Sequence, residues 1–355
     1  MKKSIAIVLS AALSLSLVLS ACGGGSAATP APSSAPSGSG SASQAPSEPI
    51  KIIFANYGNS AMPPAQGDRE FIGIVEEATN GGITFDYVPD GVLGGEADMI
   101  QQIMDGTIQV AALSPATFNT FTKLTEVFQL PFLLTDYETE YTALNSPEAK
   151  AIYDKLSEEL GVKIVGAQEN GIRHFANNTR PVTSVADLKG LKLRIAPSNM
   201  LTEVMTNLGA SPITVPYAEV YSALQNKVVD GEEINITSIY ALKHYEVVKY
   251  ISEIGMYPFP VMITFNLDFW NSLSAEYQQI ILDAAATATK NEFETYLPEF
   301  EATAIAACKD AGVQFNTIEG AAKDEFIALA KPTWDKYRAI DPLIANFIDM
   351  VENMK

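Results

Sequence analysis

Two arginines in short apolar frames carry the clearest chemical signal in this chain. They are Arg173 in Ile172-Arg173-His174-Phe175 and Arg194 in Leu193-Arg194-Ile195-Ala196-Pro197. The whole sequence holds only five arginines, the others being Arg69, Arg180 and Arg338. A guanidinium is a planar fork of donors that holds a carboxylate through two parallel hydrogen bonds, which a lysine ammonium cannot reproduce. Period-two alternation over 191–196 sends Leu191, Leu193 and Ile195 to one face of a strand and Lys192 and Arg194 to the other. Pro197 ends that strand, and Ser198 or Asn199 caps the helix that follows, bringing free N–H groups toward the same region. Arginine beside a helix N-terminus makes an anion site.

Other chemistry is thinly supplied. There are two histidines, His174 and His244, 70 residues apart, with no HExxH, no GxSxG and no paired cysteines, which argues against a secreted hydrolase. His174, next to Arg173, is a candidate for the wall of a cleft, whereas His244 reads as a satisfied residue of a helix. Cys308 lies in Ala304-Ile305-Ala306-Ala307-Cys308 and reads as a small core residue.

The elements that must position the arginines follow from periodicity. Strands over 50–55, 83–88 and 107–113 alternate with helices over 69–79 and 97–104, a βαβαβ opening that favours a mostly parallel sheet with ligands beyond the carboxyl ends of its strands. A helical stretch over 136–160 with a Pro147 start inside it leads to strands over 162–167 and 172–177. A second α/β unit then places strands over 191–196 and 213–215 and helices over 199–208, 217–225 and 236–249. Residues 257–266 read as a strand returning to the first unit. From Ala275 to Lys309 helical periodicity runs for about 35 residues, some 50 Å at 1.5 Å per residue, and Pro298 should kink it. The fold class expected is α/β with two lobes, crossing hinge strands and one long kinked helix spanning both.

The N-terminus reads as an export signal: Lys2 and Lys3, an apolar run to Leu19, then Leu19-Ser20-Ala21-Cys22. The run is shorter than the roughly 20 residues of a bilayer span, and a cysteine after small residues resembles the bacterial lipoprotein signal, with Cys22 lipidated. Residues 22–49, nearly all Gly, Ser, Ala and Pro, cannot bury enough surface to offset ordering entropy and read as a tether. Loss of residues 1–21 removes Lys2 and Lys3 and takes the formal charge from −19 to −21. So acidic a body argues against nucleic acid and anionic lipid surfaces as partners.

Several blocks together resemble the DctP-type solute receptors of TRAP (tripartite ATP-independent periplasmic) transporters. They are Asn170-Gly171-Ile172-Arg173, Asp187-Leu188-Lys189-Gly190-Leu191-Lys192-Leu193-Arg194, Val215-Pro216-Tyr217, Val229-Asp230-Gly231-Glu232-Glu233 and the segment from Gly94-Gly95 to Asp105-Gly106. The resemblance covers about residues 50–310. It implies a type II periplasmic-binding-protein-like fold, a small organic acid as ligand, membrane permease subunits as partners, no cofactor and an extracytoplasmic, lipid-anchored location. It makes Arg194 the carboxylate clamp and Arg173 its support, with Tyr217 on the pocket wall and Asn170, Ser114, Glu233 and His174 as further pocket candidates. Where the family has an asparagine this chain has Ile234; either Asn235 serves through a local shift, or the pocket is more apolar there. Glu233 holds a lobe or, with Glu232, a cation. Near Ser114 and Thr117 the charged pair of sugar-acid receptors is missing, which argues against a sialic-acid-like ligand. The divisions expected are lobe I over 50–170, lobe II over 171–258, a return to lobe I over 259–298, and 299–355 completing the long helix with C-terminal helices on lobe II. An ABC-type binding lipoprotein of similar architecture is the competing reading, and gene neighbours separate the two.

Overall fold

The computed structural model describes residues 48–354, so the signal segment, Cys22 and nearly all of the tether lie outside the described residues. Two sheets organise the rest. The first has the order β2-β1-β3-β10-β4, built from β1 (Ile50–Asn56), β2 (Ile83–Val88), β3 (Val110–Leu113), β4 (Val162–Glu169) and β10 (Pro260–Asn266). The second has the order β11-β9-β5-β8-β6-β7, from β5 (Arg173–Asn177), β6 (Lys192–Ile195), β7 (Ser211–Thr214), β8 (Gly231–Asn235), β9 (Tyr250–Glu253) and β11 (Gln314–Thr317).

Both sheets are mixed. β1 runs parallel to β2 and β3, but β10 returns antiparallel between β3 and β4; likewise β5 is antiparallel to β8 and β9 while β6 is parallel to β7 and β8. The chain crosses from the first sheet to the second at 170–172 and back at 254–259. Gly171 holds a φ of 122°, and a Cβ there would press within 3.2 Å of Asn235 Cβ, so this crossing requires glycine.

The helices follow their apolar stripes. Pro63–Ala78 buries Phe71 and Val75, and Ala275–Asn291 buries Ile281, Ala284, Ala285 and Ala288, against Phe54, Ile263 and Phe265 of the first sheet. The long helix is interrupted at Glu292–Tyr296 by a π-helical turn just before Pro298, which has no N–H to continue the regular ladder. Its continuation, Leu297–Asp310, buries Ala304 and Cys308 with Ile234, Ile236 and Ile239 of the second lobe.

Two expectations need correction. The helix expected over 236–249 ends at Ala241, because Lys243 takes a left-handed φ of 58° and a short turn, His244–Glu246, leads into β9. The C-terminal helices do not sit wholly on the second lobe. Pro342–Met354 turns Ile344, Phe347, Ile348 and Val351 inward, and Phe347 meets Phe128 of the first lobe edge to face at 5.1 Å. Trp334 Nε1 donates to Pro131 O at 2.8 Å on the same side.

Candidate functional site

Alternation along β6 does what its sequence requires: Leu193 and Ile195 enter the core, and Arg194, 2% exposed, faces a cleft between the lobes. The cleft has a volume of about 480 Å³. From the first lobe it is lined by Tyr57, Gly94, Gly95 and Glu96; from the second by Arg173, Arg194, Pro197, Tyr217 and Asn235; and from the crossings by Asn170 and Phe259.

The two arginines differ in their partners. Arg173 Nε donates to Glu233 Oε1 at 2.6 Å, Nη2 lies 2.5 Å from the same oxygen as an ion pair and donates to Glu233 O at 2.7 Å, and Nη1 donates to Asn235 Oδ1 at 3.2 Å. The Phe259 ring lies 4.4 Å from its guanidinium carbon. Among the described residues Arg194 has one hydrogen bond, Nε to Val215 O at 3.0 Å, and no carboxylate within ion-pair distance. Burial, then the charge of Arg173, pushes the Arg194 guanidinium below its ordinary value, with Glu232 and Glu233 opposing from farther off. A buried cation short of a counter-charge is a site prepared for an anion.

The expected neighbours sort by strand geometry. Asn235 lines the cleft and donates from Nδ2 to Asn170 O and to Thr237 Oγ1, each at 2.5 Å. Ile234, one residue earlier on β8, points the other way into a core with Val220, Leu224 and Ile251. Of the two, Asn235 faces the cleft and Ile234 does not. Asn170 lines the cleft and donates from Nδ2 to Tyr57 Oη and Phe259 O, both at 3.3 Å. Tyr217 lies there too; its hydroxyl is 3.1 Å from Ser238 Oγ and 3.3 Å from Met62 Sδ, and its ring meets Tyr57 edge to face at 5.7 Å. Tyr217 thereby joins the second lobe to Tyr57 and Met62 of the first.

Four expectations fail on geometry. His174 is adjacent to Arg173 on a strand, so it faces away from the cleft, and its Nδ1 accepts from Ile254 N and Gly255 N at 3.1 Å each. Burial, then Lys323 and Arg173, pushes its imidazole down to about 4, so it is neutral. Glu233 does not line the cleft; it stands behind Arg173 and also accepts from the Tyr257 hydroxyl. Glu232 and Glu233 point to opposite faces of β8, so they cannot share a cation: Glu232 meets His244 Nδ1 at 3.0 Å instead. Ser114 is fully buried and absent from the cleft wall. What reaches the cleft from that corner is Glu96, whose Oε1 accepts from Ser114 N at 2.8 Å and Thr117 Oγ1 at 2.7 Å.

Glu96, Tyr57 and Phe259 were not expected from the sequence. Signals existed for two of them: Tyr57 follows the carboxyl end of β1, where ligands of open α/β sheets bind, and Glu96 opens the helix after Gly94-Gly95.

Residues 54–340 match the family model for DctP, bacterial extracellular solute-binding protein family 7. The C4-dicarboxylate-binding periplasmic protein DctP of Rhodobacter capsulatus is 32% identical over 269 residues, 75% of this chain and 79% of that protein. The 2,3-diketo-L-gulonate-binding periplasmic protein YiaO of Escherichia coli is 30% identical over 249 residues, 70% of this chain and 75% of its own. Among solved structures, a TRAP periplasmic solute-binding protein from Desulfovibrio salexigens with bound orotic acid is 29% identical, with a TM-score of 0.81 over 86% of this chain and 98% of that one. Another, from Roseobacter denitrificans with bound β-D-glucuronate, is 26% identical, with a TM-score of 0.80 over 85% and 98%. This two-lobed chain, with its cleft between mixed sheets, belongs to the DctP family of bacterial extracellular solute-binding proteins.

Proposed function

We propose that this protein captures a small organic acid by its carboxylate on Arg194 and hands it to a TRAP-type membrane permease. The observation that carries the reading is the partner deficit at Arg194: a buried guanidinium whose terminal nitrogens have no hydrogen bond to the described residues. Arg173 is fixed in place by Glu233 and adds positive charge beside the bound group. Asn235 and Asn170 set the polar wall behind it, and Tyr217 joins the lobes over it. The relatives above are named for acids they bind, and two solved relatives hold carboxylates, which agrees with an anion in this cleft.

Differential binding drives closure, because a ligand held by Arg194 gains Tyr57 of the first lobe when the lobes close. Cys22, as a lipidated N-terminus, would keep the receptor on the outer face of the membrane, with residues 22–49 as its tether. A thermal-shift screen over organic acids, sugars and amines tests the reading: an acid at 100 times its Kd adds about 2.7 kcal/mol of stability. If sugars or amines alone raise the melting temperature, the assignment fails.

A further inference from the structure

Three carboxyl groups meet where the chain leaves the first sheet. Glu169 ends β4, Glu140 lies on the helix Tyr137–Leu144, and Glu292 opens the π-helical turn of the long helix; all three are fully buried. Among the described residues none of them has a lysine, arginine or histidine within ion-pair distance, and no group of His, Cys, Asp and Glu side chains is placed to hold a metal ion. Glu169 Oε1 accepts from Gly171 N at 2.6 Å and from Phe259 N at 2.9 Å. Its Oε2, both oxygens of Glu140 and Oε1 of Glu292 have no partner among the described residues if every carboxyl is ionised. Protons relieve that cost.

The carboxyls of Glu140 and Glu169 hydrogen-bond one another, which two carboxyls can do only with a proton between them. Burial, then the charge of Glu169, pushes Glu140 well above its ordinary value. Burial pushes Glu169 up too, but the bond from Glu140 and the amides of Phe259 and Gly171 oppose it, so Glu140 carries the proton and Glu169 Oε2 receives it. Glu292, raised by burial and then by the charge of Glu169, keeps a proton of its own. The other titratable groups facing this corner are Asp136 and Tyr137 beside Glu140, Tyr153 on the helix Pro147–Leu160, Asp68 on the helix Pro63–Ala78, and Arg173 on β5. The amides that Glu169 holds border the cleft: Phe259 lines it and covers the Arg173 guanidinium, and Asn170, which lines it as well, precedes Gly171.

We propose that Glu169 is a positioning residue for the cleft, and that its hold on both crossings depends on one proton shared with Glu140. Without that proton two carboxylates face each other with no water to screen them, Glu169 leaves its amides, and Asn170 and Phe259 lose their fixed places. Because the shift is upward, the hold is complete on the acid side and is lost as pH rises. A bound acid keeps Asn170 and Phe259 in place and so favours the protonated pair; binding then takes up a proton where the pair titrates. This last step rests on the carboxylate reading at Arg194, whereas the hold on the amides does not.

Hydrogen exchange of the Gly171 and Phe259 amides, read by NMR on the ligand-free protein from about pH 5 to about pH 9, tests the hold. After correction for the intrinsic rate, protection at both should fall by up to about tenfold per pH unit on the alkaline side, as one linked proton dictates, while the amides of β3 keep theirs. Glu140→Gln, whose amide donates to Glu169 at every pH, should make that profile flat, and Asp68→Asn should not. A native profile already flat, a fall unchanged in Glu140→Gln, or a fall removed by Asp68→Asn alone overturns the proposal. Calorimetry with D-glucuronate, succinate and orotate, each in two buffers of different ionisation enthalpy, reads the link to the ligand: proton uptake should accompany binding and vanish in Glu140→Gln, and uptake unchanged in that variant overturns the link. If none of the three acids binds, the Arg194 clamp is wrong, and the exchange profile still decides the hold.

Discussion

Glu233 occupies Arg173 through two guanidinium nitrogens, leaving Arg194 as the cleft arginine without a carboxylate partner among the described residues. The two residues look equivalent as letters in a sequence. Their surroundings differ: Arg173 is held by Glu233, whereas Arg194 is the one the proposed function assigns to the ligand.

Arg194→Ala should abolish acid binding while leaving the empty protein as stable as before or more so, since it removes a buried charge that lacks a counter-ion. Arg194→Lys should weaken binding by roughly 30- to 100-fold, about 2–3 kcal/mol, because the paired hydrogen bonds are lost. Calorimetry combined with melting of the empty protein checks both, and near-native affinity in the lysine variant would refute the clamp.

Arg173→Ala should show the reverse balance. It leaves Glu233 buried without its guanidinium, so the protein should lose about 3–5 kcal/mol of stability in urea unfolding. A variant that melts like the native protein and fails only in binding would mean that Arg173 serves the ligand directly.

At β8 the two neighbours should separate cleanly. Ile234→Asn should destabilise the fold by about 2–5 kcal/mol, because residue 234 is in the core. Asn235→Ala should reduce affinity, since it frees Arg173 Nη1 and removes the hold on Asn170 O. Equal affinity in Asn235→Ala and native protein would remove Asn235 from the site.

Two buried groups should give opposite pH limbs. Burial pushes the Asp68 carboxyl up to about 7, against the hydrogen bonds from Asn56 and Tyr87. The folded state then holds a proton that the unfolded chain releases near pH 4, so stability should fall as pH rises from about 4 through about 7. Asp68→Asn should flatten that limb. Burial pushes Glu140, Glu169 and Glu292 in the same direction as Asp68. His174, held down to about 4, acts oppositely: its contribution is present above the unfolded value near 6.5 and is lost as pH falls toward 4. Urea unfolding from pH 4 to 8 reads both limbs; a slope in Asp68→Asn identical to the native one between pH 5 and 7 would exclude Asp68 as its source.

Much of this was legible in the sequence for a physical reason: strands such as Ile83–Val88 and helices such as Asn199–Asn207 carry their own periodicity and caps. β8 was not, because Glu232 and Glu233 look hostile to a buried strand. Their partners, His244, Arg173 and Tyr257, come from distant segments, and no local pattern announces them. β11 and the placement of the last helix depend likewise on contacts far along the chain. The displacement of His174 from the cleft was readable, however, since residues adjacent to one another on a strand cannot share a face. Glu96 was half legible: the Gly94-Gly95 entry to its helix stood out, but its hold by Ser114 and Thr117 needed the fold.

Glu169 Oε1 accepts from Gly171 N at 2.6 Å and from Phe259 N at 2.9 Å, one amide on each segment that crosses between the sheets. A single oxygen thus pins two ribbons into one pivot. Bending about that pin stretches neither bond, whereas sliding one ribbon past the other breaks both. Such a pin favours a clamshell swing over shear, and the amides of Gly171 and Phe259 should exchange with deuterium at matching rates.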